Sequence, residues 1–190
     1  MKEKKKVQLA IFVSFGIVLG VGTYSLLLEN EPMRENVWSK LSPANPTLVQ
    51  AIESTPVENV YGQRVRLPLD RPLLFSAPFC PWCAKTERLL IQSRLIDKVQ
   101  IVGVDVEGGE QGRVSSHTVH NATQAREVFR EYWRYYGVHS TTLDLLFALP
   151  NNPINSVIQT YPTLLVPHDG HWYELIGYDS NTSFWDSILH

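Results

Sequence analysis

The two cysteines of this 190-residue chain stand three apart in Phe79-Cys80-Pro81-Trp82-Cys83-Ala84, and their setting restricts the fold more than any other feature. Before them, Leu73-Leu74-Phe75-Ser76 is a short apolar run between Pro72 and Pro78, which suits a buried strand. After them, from Pro81 to about Ile96, glycine is absent and Leu89, Leu90 and Ile96 recur at helical spacing. The pair is therefore expected at the junction of a strand and a helix. A thiol there faces unpaired backbone N–H groups and the positive end of the helix dipole, which favour thiolate. With this spacing Cys80 can attack a substrate disulfide, and Cys83, one turn along, can resolve the mixed disulfide. Three other readings compete: a structural disulfide, half of a metal site, and two unrelated core cysteines. So small a loop gives a staple little entropic benefit, and no second cysteine pair exists to complete a zinc site.

The rest of the chain supplies matching elements. Val57 to Leu67 is strand-like but broken by Gly62, and Val99 to Val106 is β-branched on both faces, as in an inner parallel strand. Gly108-Gly109 opens a loop. Asn121 can then cap a helix whose Ala125, Val128, Phe129, Tyr132, Trp133 and Tyr136 share a face, with Gly137 at its end. A second helical piece is expected from about Thr142 to Leu149. Thr163 to Val166 and Trp172 to Ile176, around Pro167-His168-Asp169-Gly170, predict a hairpin, followed by a helix carrying Phe184, Trp185 and Ile188. The order describes an α/β domain with a central mixed sheet.

Ahead of this domain, Val7 to Leu28 runs for 22 residues without a charge, enough for a helix to cross a bilayer. Residues 1–6 carry Lys2, Lys4, Lys5 and Lys6, and Glu29 and Glu31 follow the span, which places the N-terminus in the cytoplasm and the body outside. The expectation is a single-pass anchor in the cell membrane at residues 7–28, the alternative a secreted chain after signal cleavage. Residues 29–56, with Pro32, Pro43, Pro46 and Pro56, read as a tether with one short helix capped by Asn45. The folded domain is expected over 57–190. Beyond residue 6 the chain holds 13 basic and 18 acidic side chains, so nothing suggests a nucleic-acid partner.

Residues 57–190 resemble the thioredoxin superfamily. Leu73 to Cys80 look like the strand and loop that deliver that family's active site, and Tyr161-Pro162-Thr163-Leu164-Leu165-Val166 looks like its cis-proline segment. His168-Asp169-Gly170 and Gly177 fall where the family places a hairpin turn and a late glycine. The resemblance implies a thioredoxin-like α/β fold, a cis bond before Pro162 rather than an ordinary trans proline opening a strand, and substrate contacts from Trp82, Tyr161 and Pro162. Two departures matter. Leu74 stands where many relatives carry a buried acid, so proton relay must use water or another group. The long span from Cys80 to Pro162 implies a helical insertion at about 107–155, as in many exported disulfide oxidases. Pro81-Trp82 between the cysteines is closer to glutaredoxins than to thioredoxin's Gly-Pro.

The leading expectation is a thiol–disulfide oxidoreductase that acts on cysteines of exported or membrane proteins. It would need no bound cofactor and no metal beyond the redox-active Cys80–Cys83 pair, with a membrane electron carrier or exported thiol protein as redox partner. The alternatives are a dedicated extracytoplasmic reductase for apocytochrome or copper-site cysteines, and a non-enzymatic module binding Cu(I) or polypeptide. Tyr132, Trp133, Tyr135 and Tyr136 read as core in preference to a polypeptide groove. His117 with His120, and His168 with His171, read as solvated loop histidines in preference to metal ligands.

Overall fold

The computed structural model describes residues 37–107, 118–139 and 144–189. The expected cytoplasmic residues 1–6, the membrane span at 7–28, the first part of the tether, Gly108-Gly109 and His117 lie outside the described residues. Among the described residues no helix is long and apolar enough to cross a membrane.

In chain order the elements are β1 (Ser42–Pro43), α1 (Pro46–Ser54), β2 (Val57–Asn59), β3 (Arg64–Val65), β4 (Leu73–Ser76), α2 (Pro81–Gln92), β5 (Gln100–Gly103), α3 (Ala122–Tyr136), β6 (Leu145–Phe147), α4 (Pro153–Val157), β7 (Thr163–His168), β8 (His171–Ile176) and α5 (Thr182–Leu189). The strands form one mixed sheet in the order β1-β8-β7-β4-β5-β6-β2-β3. β4 lies at its middle, parallel to β5 and antiparallel to β7. All residues of β4 and β5 are buried, because a central parallel pair is covered on both faces and needs apolar residues on both. Helix ends follow the side chains read from the sequence. Asn45 caps α1 by accepting from the Thr47 N–H at 2.9 Å, Asn121 caps α3 through the Gln124 N–H at 3.0 Å, and Gly137 ends α3 at φ +66°.

This is the thioredoxin-like α/β arrangement that the resemblance implies: the strand delivering the cysteines is central, and the segment Tyr161-Pro162, joined by a cis peptide, opens its antiparallel neighbour. Two expectations are corrected. The segment after residue 36 is no tether. The compact unit spans Val37–His190, and its first part contributes a 3₁₀ turn at Val37–Lys40, an edge strand and a helix. Pro43 lies in that edge strand, with Ser42 and Pro43 paired to Glu174 and Tyr173 of β8, while Pro46 occupies the first turn of α1. α1 buries Leu48, Ala51 and Ile52, so Pro46 marks a helix start and not an extended spacer.

The second correction concerns the insertion at 107–155, which is not wholly helical. Where a helix is expected at 142–149, Leu145–Phe147 is a strand parallel to β5, with Leu146 opposite Val102. Its three side chains are all buried, and so short an apolar run serves a doubly covered strand better than a helix with a polar face. The start of that expected helix lies outside the described residues.

The face of β5 toward α3 is packed without slack. A Cβ on Gly103 would lie 2.8 Å from Phe147 Cδ1 and 2.9 Å from Phe129 Cε2, and both rings are fully buried. The Gly103→Ala variant should therefore unfold at lower urea with an unchanged slope, losing about 1–3 kcal/mol to overpacking. An unchanged midpoint would show that the rings yield freely.

Candidate active site

The loop after β4 turns into α2 so that Cys80 is the residue capping the helix. The Cys80 N–H donates to the Ala77 carbonyl at 3.1 Å, and the Cys83 N–H donates to Cys80 Sγ at 3.1 Å. The sulfur thus occupies the place of a capping oxygen at the positive end of α2. Cys80 is 6 % exposed and Cys83 fully buried, and neither is in a disulfide. The thiols are driven apart in acidity. The Cys83 thiol, donating to Cys80, lowers the Cys80 pKa; burial opposes this, and the Cys83 and Trp82 N–H groups assist it. Cys83 is pushed well up, by burial first and then by the same interaction with Cys80.

Beneath the pair lies an acid that sequence reasoning missed. Glu87, four residues after Cys83 and so on the same face of α2, is fully buried. The Ser76 hydroxyl donates to Glu87 Oε1 at 2.6 Å, and the Trp133 indole N–H donates to Oε2 at 2.8 Å. Burial raises the carboxyl from 4.5 to about 7 against the hydrogen bonds from Ser76 and Trp133, with the Tyr132 hydroxyl close by. The Tyr132 hydroxyl also donates to the Cys80 carbonyl at 3.4 Å. A buried acid therefore comes to the pair from the helix and not from position 74. A charged residue inside the apolar spacing of α2 was the available signal, and its partners, far away in sequence, were not.

Of the other predicted residues, Trp82 lies between the two cysteines in sequence and Tyr161 is near enough to interact electrostatically with both. Trp82 is 50 % exposed, with Lys85 Nζ 3.8 Å from its ring centroid and Tyr178 stacked at 6.0 Å. Tyr161 meets Phe79, the residue before Cys80, edge-on at 5.8 Å. Pro162 is one step beyond the Phe75–Thr163 pair, at the edge of the sheet where β4 delivers Cys80, and its carbonyl accepts from the Gly177 N–H at 2.8 Å. The aromatic residues of α3 divide: Tyr132 is buried, Trp133 and Tyr136 are half-buried against the core, and Tyr135 is exposed. His120, His168 and His171 are exposed. Among the described residues no group of three or more His, Cys, Asp or Glu could hold a metal.

No family model and no curated protein matches the sequence. Solved structures are similar at low identity. One is MTB dsbF, at 19 % identity and TM-score 0.47, covering 73 % of this chain and 97 % of that one. A secreted Mycobacterium tuberculosis disulfide oxidoreductase described as homologous to E. coli DSBE is similar at 13 % and 0.47, covering 74 % and 96 %. A thioredoxin-like protein from Aeropyrum pernix is similar at 12 % and 0.46, covering 75 % and 91 %.

Two outcomes test the site's electrostatics. Iodoacetamide should alkylate Cys80 in the native protein with half-maximal rate below pH 9, and leave Cys83 untouched until denaturant is added; equal labelling would refute the asymmetry. Glu87 sits above its unfolded-state value of 4.5, so its contribution to stability is complete below pH 4.5 and lost as pH rises through about 7. That interval is worth about 3 kcal/mol, so wild type should lose roughly that much more stability than Glu87→Gln between pH 4.5 and 7.5. Parallel curves for the two proteins would mean that Glu87 does not titrate there.

Proposed function

We propose that this chain is a thiol–disulfide oxidoreductase that exchanges disulfides with cysteines of exported or membrane proteins. The observation carrying the proposal is the Cys80 sulfur at the helix N-terminus, accepting the Cys83 N–H, above a second thiol that is fully buried. One sulfur is prepared to attack and the other is kept from competing.

In the reducing direction Cys80 thiolate attacks one sulfur of a substrate disulfide. The substrate S–S bond breaks, a Cys80–substrate disulfide forms, and the departing sulfur leaves as thiolate. Cys83 then gives up its proton and attacks Cys80 Sγ, releasing the second substrate thiolate and leaving the Cys80–Cys83 disulfide. Two electrons pass from the protein to the substrate. Glu87 has the position and, at about pH 7, the acidity to receive the Cys83 proton. The oxidising direction is the reverse, with a membrane electron carrier or exported thiol protein restoring the disulfide. No bound cofactor is required. Trp82, Tyr161 and Pro162 form the substrate-facing rim, and the apolar run at 7–28 holds the domain at the outer side of the cell membrane.

The test combines trapping with a potential. Cys83→Ser in the full-length protein should accumulate mixed disulfides at Cys80 that dithiothreitol releases. Wild type equilibrated with glutathione should form a Cys80–Cys83 disulfide, at a potential toward roughly −120 mV for a disulfide donor or roughly −270 mV for a reductase. No disulfide at any accessible potential, with one Cu(I) bound per chain and lost on removing either cysteine, would replace the proposal by a metal-binding module.

A further inference from the structure

Tyr161 is tied down by its side chain as well as by the sheet. Its hydroxyl donates to Asp105 Oδ2 at 2.5 Å, with the Ile158 carbonyl at 3.2 Å as a second acceptor. Asp105 follows β5 and has φ +44°, a left-handed conformation that Asp and Asn tolerate better than most residues. Its N–H donates to Asn155 Oδ1 at 3.3 Å, and Asn155 Nδ2 donates to the Ala148 and Leu149 carbonyls at 3.2 and 2.9 Å. The Asn155 amide thus ties the end of β6 to the Asp105 backbone, and the exposed Asp105 carboxylate holds Tyr161. Burial and the Asp105 carboxylate push the Tyr161 hydroxyl up, so it remains a donor throughout the neutral range.

We infer that Asp105 is a positioning residue for polypeptide substrates, fixing Tyr161 between itself and Phe79 so that the backbone beside Pro162 is set for an extended chain to lay its disulfide against Cys80. Two further features fit an extended occupant. A groove of about 380 Å³, lined among others by Thr160, Thr163, Glu174 and Ile176, opens beside this segment, and Ile176 is 56 % exposed. The inference rests on the exchange chemistry proposed above and adds to it a residue that favours a polypeptide disulfide over a small one.

The experiment compares two disulfides of different size. Reduced full-length protein in detergent is mixed with hydroxyethyl disulfide, which has no peptide backbone, or with a short single-cysteine peptide dimerised through its disulfide. Tyr161→Phe and Asp105→Ala should slow reduction of the peptide dimer about tenfold, on the order of one charge-assisted hydrogen bond, mainly by raising the half-saturating concentration. Asp105→Ala should reduce hydroxyethyl disulfide within about twofold of wild type. Asp105→Asn, which keeps an acceptor and tolerates the left-handed backbone, should stay within about threefold of wild type on the peptide. Equal loss on both disulfides would make the network a support of the fold, and no loss on the peptide would remove Asp105 from substrate selection; either overturns the inference. Wild type inert toward both disulfides would instead overturn the exchange reading beneath it.

Discussion

One buried carboxylate holds the active-site helix in register with the sheet and with the helix that follows β5. Glu87 takes a hydrogen bond from Ser76 on β4 and another from Trp133 on α3, with Tyr132 closing the third side. A fully buried acid costs several kcal/mol if left unpaired, so these three elements cannot shift independently without exposing that cost. The position of Cys80 follows from this anchoring. α2 starts where the loop from β4 ends, and the depth of that start is set about two turns below by Glu87.

The asymmetry of the two thiols is a direct consequence. Cys80 sits where the helix presents unbonded N–H groups, and Cys83 sits one turn further in, where burial dominates. The Cys83 thiol is best used as a donor to Cys80, so the interaction that activates one sulfur suppresses the other. Ionised Glu87 raises both thiols, so charge on the acid and charge on sulfur disfavour each other. A carboxyl raised to about 7 lies closer to the raised Cys83 thiol than one at an ordinary carboxylate value, which lowers the uphill cost of a proton transfer between them.

The parts of this design that are local in sequence were legible before the structure. Strand β4, the capping cysteine, the Asn45 and Asn121 caps, the end of α3 at Gly137 and the β7–β8 hairpin each depend on a few adjacent residues. The errors fall where a residue's role depends on a distant partner. Leu145-Leu146-Phe147 is a strand because β5 offers an open parallel edge, and residues 42–54 belong to the domain because β8 and the core receive them. No role was legible for Glu87, because the Trp133 that bonds it stands 46 positions away.

That last separation explains why the insertion and the relocated acid belong together. β4 turns Leu74 and Ser76 toward the same side of the sheet, since side chains alternate along a strand, and Ser76 is the one that meets Glu87. An acid at Leu74 would be served by the strand's own surroundings. An acid on α2 meets β4 through one oxygen only, and its second oxygen needs a donor from outside the minimal strand-helix-strand unit. α3 brings that donor as Trp133 and also sends Tyr132 to the Cys80 carbonyl. Shortening the connection between β5 and β6 enough to remove α3 would strip Glu87 of one partner and Cys80 of another, and the acid could then persist only by taking up water or by leaving the core.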